Sequence, residues 1–190
     1  KMNSMLKIII NKIEAELKNT FNEVDTCFDA GDSLLEYKPQ LGWTIREVLE
    51  HISLTNYFLL ILIKKGTRKA MELSKVNDFA NLLINYDLDW DKLKAIGEHG
   101  SFEWNRPRHM EPTGKEDLSL VRERIKNQLN ECLQYLEQMQ HGEGVLYKTM
   151  MTVNGLGKID VYHYIYFLAE HARRHLMQIQ KTKIEYKKQS

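Results

Sequence analysis

At 190 residues the chain is long enough to bury a hydrophobic core within a single domain, 1–190, without disulfide or metal staples. Its 27 basic and 26 acidic side chains leave a net charge of +1, which lacks the basic excess of a nucleic-acid-binding protein. Two cysteines, Cys27 and Cys132, make neither a metal-binding spacing nor a disulfide framework, and they fit a reducing, cytoplasmic setting.

The periodicities are helical and only three prolines occur. Ile9, Ile13, Leu17, Phe21 and Val24 recur at helical spacing and predict a first helix from Ser4 to Cys27. Asn11, Lys12 and Glu14 interrupt its apolar start, so it does not read as a signal peptide. Gly31 to Gly42, with Pro39, reads as a connection. Thr44-Ile45-Arg46-Glu47 is a capping box that opens the second helix, with Trp43 and Val48 placed to close a hydrophobic staple. That helix is predicted to end near Lys65. Its apolar run Tyr57 to Ile63 is far shorter than the about 20 residues a bilayer needs, so it reads as a buried helix end or a subunit interface.

A further helical stretch is predicted over Ala70–Ile84 and a short one over Trp90–Ile96, followed by a loop from Gly100 to Pro112. Thr113-Gly114-Lys115-Glu116 reads as a second capping box, opening a third long helix to Gln140 through Leu120, Ile125, Leu129, Leu133 and Leu136. Gly142 to Gly157 reads as a loop. Asp160 then caps a last helix through Val161, Ile165, Leu168, Ala172, Leu176 and Ile179, ending near Lys181 in a solvated basic tail. The expected fold is all-α: a four-helix bundle, up-down-down-up, with extra short helices in the long second crossover.

His171 and His175 stand four apart, on one face of the last helix, which is the spacing two side chains need to reach one metal ion. His51 borders the core stripe of the second helix, about 10 Å along it. In the expected topology the three imidazoles fall at one level. Three neutral imidazoles suit Zn²⁺, Ni²⁺ or Fe²⁺ rather than Mg²⁺ or Ca²⁺, and they leave positions open for water or substrate. The same pattern also arises from core histidines hydrogen-bonded in an ordinary way. His163 lies about 80° off the stripe and reads as a surface or core residue. His99, His109 and His141 read as solvated, as do Arg173 and Arg174. Glu47 is a candidate general base one turn before His51, although its capping role already accounts for it. Gln178 reads as a surface residue rather than one that orients a ligand.

Gly42-Trp43-Thr44-Ile45-Arg46-Glu47-Val48-Leu49-Glu50-His51-Ile52 resembles the first signature of the DinB/YfiT-like superfamily of metalloenzymes. His171-Ala172-Arg173-Arg174-His175-Leu176-Met177-Gln178-Ile179 resembles its second, and Asn154 to Ile159 is similar to its glycine-containing lead-in to the last helix. The resemblance implies an up-down-down-up bundle holding one divalent metal, zinc or nickel, on His51, His171 and His175. It also implies a homodimer, which the run Phe58 to Ile63 permits, and either of two reactions. One is transfer of a low-molecular-weight thiol to an electrophilic small molecule. The other is metal-dependent hydrolysis, with Glu47 as candidate base. A non-catalytic bundle with a structural metal is the alternative from another class. The region 66–112 is expected to shape substrate access; no nucleic-acid or membrane partner is expected.

Overall fold

The computed structural model describes residues 4–102 and 107–189, and it is predominantly helical. Four long helices, α1 (Ser4–Cys27), α3 (Ile45–Ser74), α5 (Leu118–Gln138) and α6 (Val161–Gln189), enclose one hydrophobic core. Two shorter ones, α2 (Asp32–Leu35) and α4 (Trp90–Gly97), lie in the connections. α1 packs on α5 and α6, α3 packs on the same two helices, and α4 packs on α6. No described helix is long and apolar enough to cross a membrane.

The boundaries of α1 are those its periodicity predicts, because Leu6, Ile9, Ile13, Leu17, Phe21 and Val24 form one buried stripe. α3 starts at the expected capping box: the Thr44 hydroxyl accepts from Glu47 N, and Glu47 accepts from Thr44 N. It does not stop at Lys65. Gly66 continues the helix because α6 begins directly against it, and a Cβ there would lie 3.0 Å from Val161 Cγ2. The predicted helix over Ala70–Ile84 is therefore corrected. Its first part belongs to α3, which ends at Ser74, and the rest is a turn followed by a 3₁₀ segment at Ala80–Leu83.

The second predicted capping box is also corrected. α5 begins at Leu118, capped by Asp117, whose side chain accepts from Ser119 N and Leu120 N. Thr113 is drawn away because its N–H and its hydroxyl both donate to the buried Glu50 of α3, while Glu116 pairs with Arg124. The supposed loop 142–157 contains a hairpin. β1 (Lys148–Met151) pairs antiparallel with β2 (Gly157–Asp160), Lys148 opposite Asp160 and Met151 opposite Gly157. Met151 and Ile159 seal the core from this side.

Asp160 caps α6 as expected, accepting from His163 N. The last helix does not end near Lys181 but runs on to Gln189, while Lys181, Lys187 and Lys188 of the basic tail are exposed as expected. Tyr186 packs edge-on against Tyr37, and Glu185 accepts from the Tyr37 hydroxyl and from Gln40 N. The tail thus closes over the connection that leads into α3.

Register along the bundle is fixed by specific pairs. Arg122, early in α5, grips Asp25 at the end of α1 and Asp29 just beyond it, while Arg173 of α6 reaches Glu16 and Thr20 at mid-α1. Gln128 of α5 accepts from Asn56 and donates to the Ser53 carbonyl of α3. Near the other end, Gly144 lies against Tyr162, whose hydroxyl donates to the Met139 carbonyl. A Cβ at Gly144 would fall 2.6–2.9 Å from three ring atoms of the fully buried Tyr162. Gly144→Ala is therefore expected to cost about 1–3 kcal/mol by overpacking, seen as a lower melting temperature. An unchanged melting temperature would show that the Tyr162 ring can move aside.

Candidate metal centre

The Thr44 cap fixes where α3 starts and so places His51 two turns in, among Val48, Leu49 and Ile52, all fully buried. α6 brings His171 and His175 to the same level from across the core. The three are only 3%, 2% and 8% exposed. His51 Nε2 lies 3.3 Å from His171 Nε2, and His175 Nε2 lies 3.1 Å from the same atom. They form the cluster of potential metal ligands found among the described residues, with donor atoms all within 4.8 Å.

The far sides of two rings are fixed. His51 Nδ1 donates to the Met110 carbonyl at 2.6 Å, and His175 Nδ1 donates to Gln178 Oε1 at 2.9 Å. A ring that donates through Nδ1 while neutral carries a lone pair, not a proton, on Nε2. Burial, and then the neighbouring imidazoles, holds His171 well below the ordinary histidine pKa; burial pushes His175 down to about 3. Those two rings are therefore neutral. The Nε2 atoms of His51 and His175 both close on His171 Nε2, which can supply at most one proton between them. Three ring nitrogens converging in this way present donors to a cation. The spacing also fits: nitrogens about 2.0–2.1 Å from a tetrahedral ion stand about 3.3 Å apart. The three histidines could bind a metal ion.

Around them is a cavity of about 230 Å³. Thr55 lines it with its hydroxyl 3.4 Å from His51 Nε2, and Pro107, Met110 and His99 come from the 66–112 region, which does border the site as expected. Residues 103–106, in the middle of the predicted loop Gly100–Pro112, lie outside the described residues. Trp43 lays its ring 4.8 Å from that of His51 and stacks on His175 at 6.5 Å.

Several readings of single residues change. Gln178 orients His175, and its signal was available, since i+3 from a candidate ligand is the same helix face. Arg174, three residues after His171, is on that face too. It is buried and lines the cavity, donating to the Glu98 and Phe102 carbonyls and to Ser101 Oγ. Arg173 is half-buried and pairs with Glu16 and Glu23 of α1. His99 is exposed but edges the cavity, with Lys181 Nζ 3.0 Å from its Nδ1. His163 belongs elsewhere, with Nδ1 2.8 Å from the buried Asp160. His109 and His141 are exposed as expected. Glu47 is committed to Thr44 N and Lys38 rather than to the histidines.

The Met110 carbonyl could not be read from side-chain types. It is held in place from α3, where Glu50, buried beside His51, accepts from Thr113 N, Thr113 Oγ1 and Gly114 N. Groups that orient ligating imidazoles are worth about 10–100-fold in metal affinity. Gln178→Leu is expected to weaken metal binding within that range, measured by competition with a chromophoric chelator. Unaltered affinity would mean that packing alone sets the His175 ring.

Against known proteins, residues 15–179 match the profile of a family described as the DinB superfamily, which covers most of the chain. No curated protein and no solved structure matches.

Proposed function

Because the chain belongs to the DinB superfamily, we propose that it is a metal-dependent enzyme in which His51, His171 and His175 hold one divalent ion. The observation that carries this reading is the convergence of three buried imidazole nitrogens at 3.1 and 3.3 Å, two of them with the opposite ring nitrogen engaged as a donor. Zinc, nickel or iron(II) suits such a donor set. The scaffold is an up-down-down-up bundle. In support, Ser53 and Asn56 of α3 meet Gln128 of α5, and Lys64 and Met71 share a groove with Tyr135 and Gln138, so these helices run the same way. Early α1 meets late α5, whereas His51 meets mid-α6 and Gly66 meets its start, which sets α1 and α6 opposite to α3 and α5.

A bound ion of this kind supplies Lewis acidity, lowering the pKa of a thiol or of water. The chain's own residues do the rest. The Met110 carbonyl and Gln178 hold two rings in the binding tautomer, Trp43 shields them from water, and the cavity admits a small molecule. No Asp or Glu among the described residues lines that cavity, and Glu47 is engaged in its cap. Hydrolysis gains from a general base to activate water, whereas a thiol needs only to be ionised. We therefore favour thiol S-transfer: the sulfur bonds to an electrophilic carbon, the displaced group leaves with its electron pair, and the thiol proton passes to solvent. The exposed side chains of Tyr57, Ile61 and Leu62 on α3 support a homodimer, and two buried free thiols support a cytoplasmic setting.

The test is thiol consumption with monochlorobimane as electrophile and 2-mercaptoethanol or glutathione as thiol. Metal-loaded protein should exceed both metal-free protein and His171→Ala. Ester hydrolysis without thiol, lost on metal removal, would favour the hydrolase instead.

A further inference from the structure

A second histidine is set up for chemistry away from the metal centre. His163 lies about 12 Å before His171 along α6, at about 1.5 Å per residue, and lines a separate cavity of about 380 Å³. The hairpin and the segment 82–89 form its walls. Asp160 caps α6 by accepting from His163 N at 3.0 Å, and a cap needs no more than that bond. The same carboxylate, 1% exposed, also accepts from His163 Nδ1 at 2.8 Å and from the Tyr86 hydroxyl at 2.7 Å. Burial, and then the Asp160 charge, holds the Tyr86 pKa above its ordinary value, so that hydroxyl stays a donor. A neutral imidazole that donates through Nδ1 carries its lone pair on Nε2. The Nε2 of His163 has no hydrogen-bond partner among the described residues and is not sealed from solvent. A buried carboxylate thus orients a histidine whose nucleophilic nitrogen opens into a cavity.

We propose that Asp160 and His163 form a second reaction centre, independent of the metal, at which His163 Nε2 attacks small acyl esters. Nε2 bonds to the acyl carbon through its lone pair, the ester C–O bond breaks, and the alkoxide leaves with the electron pair and takes a proton from solvent. The ring is positive while acylated, and Asp160 on Nδ1–H offsets that charge. Water then adds to the acyl carbon and the C–N bond breaks. The carboxylate and two protons are released, one replacing the proton the alkoxide took, and the ring returns neutral. Lys148 stands opposite Asp160 in the hairpin and Lys158 two residues before it, so both share its face. Neither lysine forms an ion pair among the described residues, and both line the cavity as donors for the oxyanion that develops. Asp87 and Asp89 line it too, so three carboxylates stand against two ammonium groups. That balance favours a neutral ester over an anionic one and repels the acid product. The cavity equals the liquid volume of roughly a dozen waters, which suits a small ester rather than a polymer.

The probe is p-nitrophenyl acetate, with nitrophenolate release measured with and without EDTA. The wild type should exceed free imidazole at the concentration of its seven histidines, and EDTA should leave the rate unaltered. His163→Gln should lower kcat by about 100-fold, in the range a positioned histidine contributes. His141→Ala, at an exposed histidine, should change nothing. Asp160→Asn keeps an oxygen to cap α6 and loses the charge; it should lower kcat by about tenfold or more with KM unchanged. A carboxylate that served only as a cap would leave kcat where it was. The asparagine variant also serves if the glutamine variant fails to fold. The proposal is overturned if the wild type does no better than free imidazole, or if either variant keeps the wild-type kcat. It is overturned too if EDTA abolishes the rate, which would assign ester hydrolysis to the metal centre. Metal uptake is measured separately, so the reading of His51, His171 and His175 stands or falls on its own.

Discussion

Replacing His171 with alanine is expected to abolish metal uptake, while protein purified without an affinity tag carries about one equivalent of zinc, nickel or iron per chain. His171 is the variant to make because its Nε2 is the atom the other two approach, at 3.3 Å from His51 and 3.1 Å from His175. Two remaining imidazoles from different helices cannot enclose an ion in the same way. Elemental analysis reads the result directly. Wild-type protein that stays metal-free after incubation with each ion would sink the metalloenzyme reading. Thermal melting separates a functional ion from a structural clip. The core runs through all four long helices and does not depend on the site, so metal-free protein should remain folded. An ion at about 100 times its Kd adds about 2.7 kcal/mol, or roughly 5–10 °C for a domain of this size. That shift should appear in the wild type and be absent from His171→Ala. Unfolding on metal removal would instead point to the structural clip.

What could be read from the sequence divides along a physical line. Local signals were legible where one element decides its own fate. The α1 stripe, the Thr44 capping box and the Asp160 cap all appear where the residues place them, and the His171/His175 spacing put both rings on one face. The errors arise where a distant partner overrides a local preference. Gly66 looks like a stop signal, but α6 passes so close that glycine is the residue that lets α3 continue. Thr113 and Glu116 look like a cap, yet buried Glu50 takes Thr113 and Arg124 takes Glu116. The last helix looks as if it ends near Lys181, yet Tyr37 and Gln40 bind Tyr186 and Glu185 beyond that point and the helix continues. The strands of the hairpin are four residues each, too short to show a period of two against a helical background. At the site, the three histidines that the fold brings together could be read from side-chain types, but the Met110 carbonyl that orients His51 could not.

The pH dependence of the metal-free protein should have two limbs with different owners. His175 titrates near 6.5 when unfolded but is pushed down to about 3 in the fold, mainly by burial, and His171 is shifted in the same direction. Between those values the unfolded chain holds protons that the folded chain refuses, so this contribution is complete above about pH 6.5 and is lost as pH falls toward 3. For His175 alone the full range amounts to about 5 kcal/mol, at 1.36 kcal/mol per pH unit. Glu170 works in the opposite sense. It is buried, facing Gly97 so closely that a Cβ there would meet its Oε2 at 2.2 Å. Burial first, and then the neighbouring Glu16, raises its pKa to about 8. Here the folded chain keeps a proton that the unfolded chain has released above about 4.5, so stability is full below that pH and declines as pH rises through 8. Urea midpoints of metal-free protein should therefore peak near pH 5–6 and fall on both sides. Glu170→Gln mimics the protonated form and should flatten the alkaline limb while leaving the acid limb in place. Zinc should steepen the acid limb, because protons and metal compete for the same imidazole nitrogens. An alkaline limb unchanged in Glu170→Gln would mean that the carboxyl ionises within the fold at its ordinary pKa. An acid limb insensitive to zinc would mean that the histidines are not where the ion binds.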